Sequence, residues 1–145
     1  MDTAAKVYSQ KEIKTVLSDP NKREELSAAH GVNCVVISLD EEVESIPREL
    51  LPSCPVLGLK KANHFNNAEY TDCSTIEPIL TEVIDCIDSK PIASSVLAGL
   101  LRKTMDQTVV DALDSESTAY SLLQKSDEYQ NALPLSDANN LRLDN

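Results

Sequence analysis

One eight-residue run limits what this chain can fold into. Val32 to Leu39 (VNCVVISL) is apolar on both of its alternating sets: Val32, Cys34 and Val36 on one, Val35, Ile37 and Leu39 on the other. A strand sends successive side chains to opposite faces, so this one must be covered on both, as strands of a parallel sheet are. A second run, Pro55 to Leu59 (PVLGL), and a weaker third, Tyr70 to Thr75, extend the pattern. The first connection carries Asp40, Glu41, Glu42 and Glu44, then a helical turn within Ile46 to Leu51. That length suffices for a crossover, so the reading is α/β, a small parallel sheet of about three strands flanked by helices.

Helices are signalled on either side of these strands. Ser9-Gln10-Lys11-Glu12 is a capping box followed by Ile13, Val16 and Leu17 on one face. Asp19-Pro20 reads as an N-cap with proline in the first turn, and Gly31 as the C-terminal cap of a second short helix holding Leu26 and Ala29. From residue 76 the period is helical. Ile76, Ile79, Leu80, Val83, Ile84 and Ile87 make a full amphipathic face, Asp88-Ser89-Lys90-Pro91 breaks it, and Ile92, Val96, Leu97, Leu100, Leu101 and Met105 define the next helix. Thr108 and Asp111 open a third, carrying Val109, Ala112, Leu113, Ala119, Tyr120 and Leu123, and Ser126 caps a last turn ended by Pro134. The organisation predicted is one α/β domain over 1–133, a strand-containing layer (1–75) plus a C-terminal helical segment (76–133), then a polar tail over 134–145 in which Leu141 and Leu143 alternate. Val35, Ile37, Val56, Leu57, Ile79, Val83 and Leu100 are expected in its core.

Charge and composition exclude several functions. Thirteen Lys and Arg against 24 Asp and Glu give a net charge of −11, and only five residues are aromatic, so phosphate backbones are repelled and bases find few stacking platforms. Nucleic acid is not expected as a partner. Three glycines (Gly31, Gly58, Gly99), none close to another, cannot form the Gly-rich loops that cradle nucleotides, so no cofactor is expected. The start of the chain has no leader pattern and no apolar run is long enough to span a bilayer, which predicts a cytoplasmic protein with no membrane contact.

The chemistry-bearing residues are sparse. Cys34, Cys54, Cys73 and Cys86 lack the short paired spacing of a zinc site, so no metal site is expected, and they read as reduced core thiols, Cys34 and Cys73 in buried strands. His30, before Gly31, suits a helix C-terminus. His64 lies in the loop after the second strand, at the carboxyl edge where open α/β sheets bind ligands, and could serve Cys73 as base to nucleophile, although no oxyanion-hole signature accompanies them. The cluster Asp40 to Glu44 lacks the order and glycine of a calcium loop and reads as a solvated turn. Asp111 and Asp114 complement a helix N-terminus, while Glu116 falls beside the apolar stripe, four residues before Tyr120, and is expected partly buried and hydrogen-bonded.

The run Glu116-Ser117-Thr118-Ala119-Tyr120-Ser121-Leu122-Leu123-Gln124-Lys125-Ser126-Asp127-Glu128-Tyr129 resembles an "ES-x-AYS-x-LQ-x-x-x-E-aromatic" stretch of a subset of enoyl-CoA hydratase/isomerase (crotonase-like) proteins, in a region ahead of the crotonase domain. Lys90-Pro91-Ile92-Ala93 with Val96 to Arg102 is similar to its "RP-x-A…LLR" helix, and Val32 to Asp40 to its "V-x-V-V-x-x-L-D" strand. Pro47 to Pro52 and Cys54 to Gly58 resemble further segments of that region. The similarity spans nearly the whole chain, and the 116–129 run is its distinctive part.

The resemblance implies a non-catalytic domain associated with a crotonase-like acyl-CoA enzyme, docking on or positioning it, with a crotonase-like domain or protein, or another copy of itself, as partner. It marks Glu116, Ser117, Ala119, Tyr120, Ser121, Leu123, Gln124, Glu128 and Tyr129 and transfers no catalytic residue, because the Gly-rich segment that presents oxyanion donors in the family is missing here. The chain stops near where that domain would begin, so it is either a piece of such a region or a free-standing relative. CoA thioesters are doubtful ligands, since the net charge opposes a polyanion and Lys60-Lys61 and Arg102-Lys103 stand isolated. The alternatives are a small enzyme using the loops around Asp40, His64 and Cys73, and an acidic protein-interaction module.

Overall fold

In a computed structural model of the chain, residues 5–39, 45–61 and 68–132 are described. Four parallel strands, β1 (Val7–Tyr8), β2 (Val35–Ser38), β3 (Val56–Lys60) and β4 (Cys73–Ile76), form one sheet in the order β1-β2-β3-β4. Six helices accompany them: α1 (Gln10–Ser18), α2 (Pro20–Glu25), α3 (Glu77–Ser89), α4 (Pro91–Thr104), α5 (Val109–Gln124) and α6 (Asp127–Ala132). The fold is therefore α/β with a helical C-terminal part, and the sheet has one strand more than expected. That strand, β1, is two residues long and pairs Val7 with Val36 and Tyr8 with Ile37.

The double-faced apolar run has its consequence in two packed layers. On one face Val35, Ile37, Cys54 and Val56 pack against Ile13 and Leu17 of α1, Leu26, and Ile46, Ala68 and Tyr70 from the connections. On the other, Cys34, Val36 and Leu57 meet Ile87 and the half-buried Leu80, Val83 and Ile84 of α3. Each fully buried side chain of this kind stabilises by about 1.5–3 kcal/mol. Where β3 is crossed by Leu39, a Cβ on Gly58 would lie 2.7 Å from the Leu39 Cδ1, so only glycine leaves room for the layer above it.

Local capping chemistry sets several helix starts. Ser9 and Glu12 exchange both bonds of the capping box, the Asp19 carboxylate accepts from the N–H of Asn21 at 3.0 Å, and the Thr108 hydroxyl from that of Asp111 at 3.2 Å. The expected second helix is split: α2 ends at Glu25 and a separate 3₁₀ turn, Ala28–His30, leads to Gly31, whose φ of 81° is the left-handed cap. His30 Nδ1 and the Ser27 hydroxyl share a hydrogen bond at 2.9 Å, a structural role.

Three core expectations need correction. Ile79 is 47% exposed, and Val83 and Leu100 are half-buried. Leu80, Val83, Ile84 and Ile87 of α3 take the contact with the sheet, and Ile79 falls on the flank. Val35, Ile37, Val56 and Leu57 are buried as expected.

Candidate functional site

The sequence placed a ligand site at the carboxyl edge of the sheet, on Asp40 to Glu44 and His64, and these residues lie outside the described ones. Cys73 is described, and it opens β4. In a parallel sheet the first residue of a strand is at the amino edge, opposite the edge from which the preceding loop departs. It is also exposed, not buried as its strand pattern implied; so is Cys86, on the outer side of α3. Cys73 therefore stands at the amino end of β4, and its proposed partner His64 lies outside the described residues.

The remaining two thiols are buried and chemically quiet. Burial, reinforced by the Asp88 carboxylate, pushes the Cys34 thiol up to about 11, and burial beside Cys34 pushes Cys54 up to about 12, although Arg102 opposes it. A neutral thiol is a poor nucleophile. Both are free thiols, and they pack into different apolar layers. Cys34 borders a cavity of about 430 Å³ beside β1, lined also by Lys6, Tyr8, Asn33 and Asp88, where the Asn33 amide donates to the Asp88 carboxylate at 2.9 Å. No group of three or more metal-ligating side chains occurs among the described residues.

The densest polar constellation is one the sequence reading missed. Arg102, near the end of α4, donates through Nε to Asp72 Oδ1 at 2.8 Å and through Nη2 to Oδ2. Its Nη1 also reaches the Pro52 carbonyl at 2.6 Å and its Nη2 the Cys54 carbonyl at 3.1 Å. Asp72 accepts in turn from the N–H of Val56 at 2.7 Å. Both side chains are largely shielded from water, at 17% and 12% exposure. Arg102 is therefore not the isolated surface charge it looked like: it ties α4 beneath the amino ends of β3 and β4.

A second anchor joins the two stretches that carry the family resemblance. The Glu128 carboxylate of α6 accepts from the N–H groups of Ile92 (2.7 Å) and Ala93 (2.9 Å), capping α4 at the Lys90-Pro91-Ile92-Ala93 segment. Ser126 accepts from the N–H of Tyr129 at 3.3 Å and so caps α6 as expected; Pro134 lies outside the described residues. Ala119 and Leu123 lie half-buried on α5 with Ala112 and Ser115, and Tyr129 is half-buried on α6. Ser121 donates to the Ser117 carbonyl, within its own helix. Glu116 and Tyr120 do not behave as the stripe suggested: both are exposed.

Those two belong to an open apolar surface. α4 and α5 run antiparallel, and Leu97, Leu100 and Leu101 face Val109, Ala112 and Leu113 across a groove of about 430 Å³ that Glu116 closes at one end. Leu97 is 54% exposed, Leu113 58% and Val109 77%. A contiguous apolar patch of this kind marks an interaction surface more often than a bare one. No helix among the described residues is long and apolar enough to cross a membrane. No family model matches the chain, nor does any curated protein or solved structure.

Proposed function

We propose that this chain is a non-catalytic docking domain that positions a crotonase-like acyl-CoA enzyme. The observation that carries the reading is the uncovered α4–α5 surface, built in part from the stretch that resembles the region ahead of the crotonase domain. Within that stretch, Glu128 and Ser126 have internal work as caps, whereas Glu116 and Tyr120 project outward. Exposed residues without a partner among the described residues are the ones available to a second surface.

One further observation weighs against catalysis by this chain. Stabilising a thioester enolate takes preorganised N–H donors worth several kcal/mol each, and the chain has no Gly-rich segment to present them. The test is a capture assay with a crotonase-like enzyme, run beside a spectrophotometric crotonyl-CoA assay of the chain alone. Binding without turnover is the expected outcome. Turnover above buffer that disappears in His64→Ala or Cys73→Ala would replace the docking reading with the small-enzyme one.

A further inference from the structure

The groove between α4 and α5 has a shape and a charge that together specify what fits it. Its walls are two antiparallel helices, and the space between two helices is filled by a third, whose rows of side chains seat between theirs. With 14 residues α4 is about 21 Å long, matching an incoming helix of three to four turns. Glu116 is the one ionised side chain lining the groove, and it has no ion-pair partner among the described residues. α5, the wall that carries it, has no basic residue. A second copy would bring its own Glu116, on a chain of net charge −11, against this one, and like charges facing each other across an interface are unfavourable.

We infer that the groove binds an amphipathic helix of a partner protein whose apolar anchors seat among Leu97, Leu101 and Leu113 and whose Lys or Arg pairs with Glu116. This deepens the docking reading and rests on it for the claim that the surface is used. It adds the chemistry of the partner: leucine-type anchors with helical spacing, and a basic residue beside them.

The test uses the full chain and three synthetic helical peptides in calorimetric titrations. Two share the same leucine anchors and differ only in flanking Lys or Glu; the third keeps the Lys residues and replaces the leucines by Ser. The Lys-flanked leucine peptide should bind at least about tenfold more tightly than either of the others. Glu116→Lys should remove that preference for Lys over Glu, and Leu113→Ser should weaken binding by about tenfold or more. Both positions are exposed, so the circular dichroism spectrum should not change. The inference is overturned if no peptide binds, if the Lys- and Glu-flanked peptides bind alike, if the serine peptide binds as well as the leucine one, or if the chain forms a dimer that Leu113→Ser disperses. Capture of a crotonase-like enzyme separates the two proposals. Selection of the Lys-flanked peptide without capture leaves the inference standing and removes the family link; capture lost in Leu113→Ser, with peptides bound alike, does the reverse.

Discussion

Replacing Arg102 by Ala should cost about 3 kcal/mol of stability, a figure that follows from what the guanidinium holds. Four hydrogen bonds vanish at once: two to Asp72 and one each to the carbonyls of Pro52 and Cys54. The Asp72 carboxylate is left mostly shielded from water with the Val56 N–H as its remaining donor among the described residues. Breaking a fully buried pair costs about 3–5 kcal/mol, and the residual exposure of both side chains argues for the lower end of that range. Urea unfolding followed by far-ultraviolet circular dichroism measures the loss directly. A double-mutant cycle with Asp72→Asn isolates the pair: the two single changes should sum to more than the double change by about 2 kcal/mol. Arg102→Lys should recover little, because an ammonium cannot reproduce the bidentate fork while also reaching two carbonyls. A single-mutant loss under about 1 kcal/mol, or strict additivity in the cycle, would refute the view that this cluster holds α4 to the sheet.

Glu128→Ala should destabilise by about 1 kcal/mol through loss of the α4 cap, with amide hydrogen exchange rising first at Ile92 and Ala93. The thiols predict a pH dependence. Above their ordinary value of 9.0 Cys34 and Cys54 ionise in the unfolded chain, while in the fold they stay protonated up to about 11 and about 12. The unfolded state then binds fewer protons, so stability falls as the pH rises through that window, and a Cys34→Ala, Cys54→Ala chain should lose this part of the alkaline slope in urea melts.

What the sequence made legible was mainly local. Ser9 with Glu12, Asp19, Thr108 and Gly31 each act on backbone groups a few residues away, so their identity and spacing were enough to place helix ends. The double-faced run at Val32 to Leu39 was enough to require a covered parallel sheet. β1 was invisible because Val7–Tyr8 carries no periodicity of its own; its hydrogen bonds come from the free edge of β2. Arg102 was misread for a related reason. Its partners stand 30 to 50 residues earlier in the chain, and no local rule pairs a helix arginine with an aspartate before a strand. Glu116 and Tyr120 were misread differently. The spacing put them beside an apolar stripe correctly, but a stripe becomes core only when something covers it, and on α5 the cover stops at Ala112, Ser115, Ala119 and Leu123.

The same helix thereby serves both ends of the argument. Arg102 fixes α4 to the amino edge of the sheet, and Leu97 and Leu101 of that helix form one wall of the open groove. Glu128 fixes its other end and carries α6 with it, which holds α5 in register as the second wall. A docking surface needs its anchors preorganised, since side chains ordered only on binding subtract from affinity. The polar residues that the family-like stretches contribute to the interior therefore matter to the groove without touching its occupant. On this view loss of Arg102 or Glu128 should loosen peptide binding through the walls, whereas loss of Leu113 should loosen it at the contact and leave the fold intact.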